Sequence, residues 1–93
     1  MTSIASKRFE HEIRFLKEKG ANVERINTTT IRIKFKVYVF DLSITSRFPF
    51  ERPIIDVVKL MKDHPDKSLI VFAEHESSWT AAKKICDLLT CLP

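Results

Sequence analysis

The sequence predicts an α+β domain: a helix, an antiparallel β-meander of about four strands and a C-terminal helix, with the helices packed on one sheet face. Two periodicities predict this class. Apolar residues recur at helical spacing near both ends of the chain, and they alternate with polar residues in its middle. The 93 residues contain one glycine and no repeat or low-complexity run, which indicates a single domain spanning residues 1–93.

The first predicted element is a helix that begins near Ser3 or Ser6 and ends at Lys19, where Gly20 follows as a typical helix stop. Its apolar stripe consists of Phe9, Ile13 and Leu16. Charged residues are expected on its wetter faces: Arg8, Glu12, Arg14, Glu18 and Lys19.

A run of strands is expected next, beginning with residues 21–26 and a turn at residues 27–29. Beyond this turn the apolar residues occupy odd positions up to Phe35 and even positions from Tyr38. A strand cannot change the parity of its buried residues without a turn or bulge, so we expect a tight turn between Phe35 and Val37. The polar positions before that turn predict a basic outer face: Arg32, Lys34 and Lys36.

The second half is harder to assign because its apolar runs are short. Pro49 and Pro53 end the sheet pattern. Residues 54–61 are predicted as a buried strand, with a short helix as the alternative. Residues 68–73 are predicted as a further strand or a buried extended segment, followed by a polar loop over residues 74–78. The last helix is expected from Trp79 to Leu92, capped by Ser77 or Ser78. Its inner stripe is Ala82, Ile85, Cys86, Leu88 and Leu89.

Four short motifs, in this order, resemble the landmarks of the ubiquitin-conjugating fold. They are residues 5–8 with Glu12 and Leu16 for the opening helix, residues 42–53 for the third strand and its Tyr-Pro-Phe-x-Pro-Pro turn, residues 64–66 for His-Pro-Asn, and residues 79–82 for Trp-Ser-Pro-Ala. The proline spacing is also similar to the Tyr-Pro-x-x-x-Pro turn of the related RWD domains. The resemblance covers nearly the whole chain and implies a minimal version of that fold that lacks its last two helices.

The departures from the family pattern imply that this variant is catalytically inactive. The family's nucleophilic cysteine precedes the tryptophan, but no cysteine occurs between Pro53 and Trp79. Thioester transfer needs a thiolate, so no catalytic residue is assigned. Asp66 stands in place of the asparagine to which the resemblance assigns oxyanion stabilisation, and a carboxylate would oppose that charge. The loop between the second and third strands is almost absent.

The resemblance implies a partner-binding surface made of Arg8, Phe50 and Ala81, and we add Trp79 to it as a candidate binding hot spot. In the family, the turn and the loop after the tryptophan contact the ubiquitin ligase together with the first helix, although Ala81 replaces a proline there. Trp79 has a purely structural alternative as a core anchor. The expected partner is a ubiquitin-like protein, a ligase or a complex subunit, and homo- or heterodimerisation is also expected because the absent helices leave apolar surface uncovered.

Two other functions remain open. One is a divergent ubiquitin-conjugating enzyme that uses Cys86 or Cys91, which point to different sides of one predicted helix and are expected to be reduced, with Cys86 in the core. The other is a small basic nucleic-acid-binding domain, since the net charge is +4. Exposed aromatics do not interleave with the basic residues, which argues against nucleic acid as the ligand.

No cofactor or metal site is predicted, because the histidines and cysteines lack ligand spacing. No apolar run approaches the roughly 18–20 residues that cross a bilayer. The start of the chain is too polar for a secretory signal. We therefore expect no membrane association and a cytoplasmic or nuclear location.

Overall fold

The computed structural model describes residues 4–93 and confirms the predicted α+β class. The elements follow in the order α1 Ile4–Glu18, β1 Asn22–Arg25, β2 Thr30–Phe35, β3 Tyr38–Ser43, β4 Ile54–Ile55, α2 Val57–Asp63, α3 Ile70–Ser77 and α4 Ile85–Leu89. The strands form one antiparallel sheet in the order β1-β2-β3-β4, which is the predicted meander.

The hairpin between β2 and β3 lies where the change of parity predicted it. Phe35 pairs with Tyr38, so the turn consists of Lys36 and Val37 alone. Lys36 has a φ of 56°, the left-handed conformation that two-residue hairpins use. The change of parity therefore keeps the apolar side chains of both strands on one sheet face. The buried ones are Ile31, Ile33, Tyr38, Phe40 and Leu42.

Helix α1 covers that sheet face with the predicted stripe, since Phe9, Ile13 and Leu16 are all buried. Its end is set by Gly20, whose φ of 91° favours glycine. The amide of Gly20 bonds the carbonyl of Lys17 at 3.1 Å, and the amide of residue 21 bonds that of Leu16 at 3.1 Å, a Schellman pattern. Ile4 and Ala5 already belong to the helix, so the predicted start at Ser6 is wrong, and the alternative start at Ser3 lies outside the described residues.

The predicted strand over residues 54–61 is wrong for most of its length. Only Ile54 and Ile55 pair with β3, and α2 begins at Val57, which is the helical alternative. The side chain of Asp56 accepts a hydrogen bond from the amide of Lys59 at 3.0 Å and so caps the new helix.

The predicted strand over residues 68–73 and the predicted loop over residues 74–78 are also wrong, because residues 70–77 form α3. Phe72 is the buried side chain of this helix and packs against Phe40 of β3, with ring centroids 6.0 Å apart. A short apolar run of this kind fits a strand and a buried helix equally well, so periodicity alone does not separate them.

The last helix is shorter than predicted, because α4 begins at Ile85 and not at Trp79. Its N-cap residue is Lys84, and not Ser77 or Ser78, and the carboxylate of Asp87 in the first turn accepts a hydrogen bond from the amide of Lys84 at 3.1 Å. Of the predicted inner stripe, Ala82 is exposed, and the other members are buried. Those are Ile85, Cys86, Leu88 and Leu89.

Candidate functional site

The proline-rich turn after β3 presents Phe50 to solvent. Phe48 is buried at 1% exposure and Pro49 is buried beside it after a cis peptide bond, whereas Phe50 is 75% exposed. The amide of Phe50 donates to the carbonyl of Arg47 at 2.8 Å, which closes the turn. An exposed phenyl ring therefore directly follows two residues that are packed in the core.

Trp79 holds this turn against the segment before α4. Its indole Nε1 donates to the carbonyl of Pro49 at 2.8 Å, and its ring stacks on Phe48 with centroids 5.9 Å apart. Phe48 in turn packs edge-on against Phe9 of α1 at 6.2 Å. Trp79 is half-buried, so it anchors the turn and still lies partly at the surface.

Arg8 connects α1 to the same segment. Its terminal guanidinium nitrogen donates to the carbonyl of Lys83 at 2.7 Å, and its Nε donates to Glu12 at 2.9 Å. Ala81 is half-buried and lies between the two points, Trp79 and Lys83, at which the segment is held. The structure thus joins α1, the turn and residues 79–84, which carry the four predicted site residues, although the guanidinium of Arg8 already serves an internal contact.

Glu12 is the residue that the sequence prediction placed wrongly. It was expected on a wet helix face, yet its exposure is 0%. Its second carboxylate oxygen accepts a hydrogen bond from the amide of Ile85 at 3.1 Å, at the start of α4. The signal was present in the sequence: Ala5, Glu12 and Leu16 share with Phe9 the spacing of a buried helix face.

The two thiols lie in different environments, and both are free. Cys86 is buried at 4% exposure. Burial, reinforced by the nearby Asp87 and Glu12 carboxylates, raises the pKa of its thiol above the usual 9.0. Cys91 is half-buried, and its sulfur contacts the carbonyl of Asp87 at 3.5 Å.

The outer sheet face is less basic than the sequence suggested. The Nε of Arg32 donates to Asp41 on β3 at 2.9 Å, and this hydrogen bond, with the carboxylate's charge, raises the pKa of Arg32. Lys36 belongs to the turn, and its ammonium group donates to the carbonyl of Leu92 at 3.1 Å. Lys34 is the member of the predicted basic row whose side chain has no ion-pair or hydrogen-bond partner within residues 4–93.

Comparisons of the chain with models of protein families, with curated proteins and with solved structures found no match. Across residues 4–93, none of the helices has the length and apolar character needed to cross a bilayer. The same residues contain no group of three or more potential metal ligands. The function of the surface around Phe50 has therefore to be inferred from its own geometry and from the sequence motifs.

Proposed function

We propose that this chain is a non-catalytic protein-interaction module of the ubiquitin-conjugating-like or RWD type. It binds a ubiquitin-like protein, a component of a conjugation pathway or a subunit of a larger complex. The observation that carries the proposal is the 75% exposure of Phe50 on a turn whose two preceding residues are buried. Trp79, Ala81 and Arg8 complete the surface around it.

An exposed aromatic ring on an ordered turn, such as that of Phe50, favours binding to another protein. Aromatic side chains are enriched in protein interfaces and supply large contact areas with few rotatable bonds. The turn is held by the hydrogen bond from Trp79 to Pro49 and by the stack on Phe48. Because this backbone is already ordered, a partner that covers Phe50 loses little free energy in ordering it.

The thiols support a role without covalent chemistry. A conjugating enzyme needs an accessible thiolate, but the segment between Pro53 and Trp79 has no cysteine. Cys86 is buried and its pKa is raised, so it ionises less readily than a free thiol at neutral pH. An adduct on this residue would also require the core beside Glu12 to open.

The proposal is tested by affinity capture from the native cells with quantitative mass spectrometry. The baits are the wild-type chain, Phe50→Ala and the matched control Val58→Ala, which removes a side chain that is equally exposed at 74% on α2. We expect a ubiquitin-like protein, a conjugation-pathway component or a stoichiometric complex subunit to be enriched by the wild type and by Val58→Ala. The same protein should be lost with Phe50→Ala.

Two outcomes of this capture would count against the proposal. One is that no protein is enriched by the wild-type chain over an empty resin. The other is that the enriched proteins are the same for Phe50→Ala, which would show that the exposed ring takes no part in recognition.

A further inference from the structure

The edge of β3 is only partly covered by β4. β4 pairs with Leu42 and Ser43 and then ends at Ile55, because Asp56 caps α2 and turns the chain out of the sheet. In an antiparallel ladder, successive residues direct their backbone groups alternately to the two neighbouring strands. Tyr38 forms the closing pair of the hairpin with Phe35 of β2. The N–H and C=O groups of Val39 and Asp41 therefore point away from β2, towards the uncovered edge.

A cleft of about 340 Å³ lies between this edge and α2. Its apolar part is formed by Val39 and Phe40 of β3 and by Leu60 of α2. Val39 is 51% exposed, although it is paired with Lys34 of β2 in the sheet's longest ladder. A cleft of this size is at the small end of ligand-binding pockets and accommodates a few residues of an extended chain.

The charged side chains around the cleft determine which sign of charge its ligand should carry. Three carboxylates line it, those of Asp41, Asp56 and Asp63, against the two cations of Arg32 and Lys59. The cleft is thus locally negative on a chain whose net charge is +4. Asp41 is neutralised by Arg32, and Asp56 caps α2, but the carboxylate of Asp63 forms no ion pair or hydrogen bond within residues 4–93.

We propose that this cleft binds an extended, positively charged peptide segment of another protein as an added strand on the edge of β3. The peptide backbone bonds the free N–H and C=O groups of Val39 and Asp41, a mode in which main-chain bonds supply affinity. Successive side chains of the peptide then alternate between two positions. Some pack on the apolar part of the cleft, and others face Asp63, which forms an ion pair with a lysine or arginine of the peptide. Exposed strand edges are natural templates for such pairing.

This site goes beyond the surface proposed around Phe50 and shares no residue with it. The two are separable by mutation, because Phe50→Ala should leave peptide binding at β3 unchanged. Loss of the peptide site would leave the capture experiment on Phe50 unaffected, and the reverse also holds.

The test is an NMR titration of the ¹⁵N-labelled chain with a capped six-residue peptide in which lysine and valine alternate between terminal threonines. We expect saturable shifts of the amide signals of Val39 and Asp41 and of residues in α2. Asp63→Lys should weaken binding about tenfold, because it replaces the unpaired carboxylate with a like charge. Glu18→Lys makes the same change in net charge on α1, outside the cleft, and should retain wild-type affinity.

Two further peptides separate strand pairing from simple charge attraction. A peptide with glutamates in place of the lysines should bind about tenfold more weakly. A lysine peptide that is N-methylated at alternate backbone positions keeps its charge but loses backbone donors, and it should not bind. The proposal is overturned if the methylated peptide binds equally well, if the shifts map to β1 or if no amide of β3 responds.

Discussion

Glu12 shows how one side chain connects the two ends of the chain in space. Its carboxylate is fully buried. It accepts one hydrogen bond from the Nε of Arg8 at 2.9 Å and another from the amide of Ile85 at 3.1 Å. A buried charge is tolerated only when it is paired and hydrogen-bonded, and both conditions hold here. The residue thereby fixes α1 against the start of α4, beside the segment that carries Trp79.

Removing this carboxylate should therefore be costly. We expect Glu12→Ala to lower the free energy of unfolding by about 3 kcal/mol, because Arg8 and the amide of Ile85 lose their acceptor inside the core. Glu12→Gln keeps the shape and one acceptor oxygen and should cost about half as much. Urea denaturation followed by circular dichroism measures both values.

The matched control is Glu18→Ala, which removes the exposed carboxylate at the end of the same helix. It should change the free energy of unfolding by no more than about 0.5 kcal/mol. If Glu12→Ala and Glu18→Ala lowered the free energy of unfolding equally, the buried hydrogen bonds of Glu12 would not stabilise the fold more than an exposed carboxylate does.

Cys86 and Cys91 differ in burial, and this difference predicts their reactivity. We expect the thiol of Cys86, measured in Cys91→Ala, to react with iodoacetamide about a hundredfold more slowly at pH 8 than Cys91 in Cys86→Ala. The thiolate is the reacting form, and the pKa of Cys86 is raised above 9.0, so its rate should still be increasing as the pH passes that value. Mass spectrometry of timed samples measures both rates.

Full unfolding in guanidinium chloride provides the control, because the two thiols should then react at similar rates. A rate for Cys86 in the folded chain that matches Cys91, or that levels off below pH 9.0, would contradict the account and revive the enzymatic alternative.

At the scale of elements, the β2–β3 hairpin places a lysine where the backbone favours glycine. Lys36 has a φ of 56°, and residues other than glycine pay about 1 kcal/mol in that conformation. The side chain of Lys36 offsets part of this strain, because its ammonium group donates a hydrogen bond to the carbonyl of Leu92 at 3.1 Å and lies over the ring of Phe35.

Two substitutions of Lys36 separate the energetic effect of the backbone conformation from that of the side-chain contacts. Lys36→Ala and Lys36→Gly both remove the side-chain contacts, but only glycine relieves the left-handed strain. We expect Lys36→Gly to be more stable than Lys36→Ala by about 1 kcal/mol in thermal or urea unfolding. Equal stability of the two variants would show that the turn is not strained at this position.

The elements also show which parts of the fold the sequence predicts. The parity of the apolar residues placed β2, β3 and the turn at Lys36, because each strand buries one complete face. Helix α2 was predicted only as the alternative to a strand, and α3 was missed. Each of these helices buries a single side chain, Leu60 in α2 and Phe72 in α3, and so shows no periodic stripe. The start of α4 was misplaced because tertiary bonds to Pro49 and from Arg8 hold residues 79–83 in a non-helical form.

At the scale of the whole molecule, the two surfaces differ in how far the sequence predicts them. Phe50 and Trp79 were found through sequence motifs, and the structure brings their segments together by a 2.8 Å hydrogen bond. The cleft beside β3 was not predicted, because it exists only where β4 ends at Ile55 and α2 folds back along the sheet. Such an edge depends on the register of strands and leaves no local pattern.

The central claim is that the chain binds a partner protein through the ring of Phe50. The most direct measurement is isothermal titration of the purified chain with a panel of ubiquitin-like proteins, ligase domains and conjugation enzymes. We expect saturable binding to at least one member of the panel. Phe50→Ala should weaken this binding at least about tenfold, because the ring acts as an aromatic anchor, and Val58→Ala should leave it unchanged. Absence of binding to every member, or equal affinity of the wild type and Phe50→Ala, would contradict it.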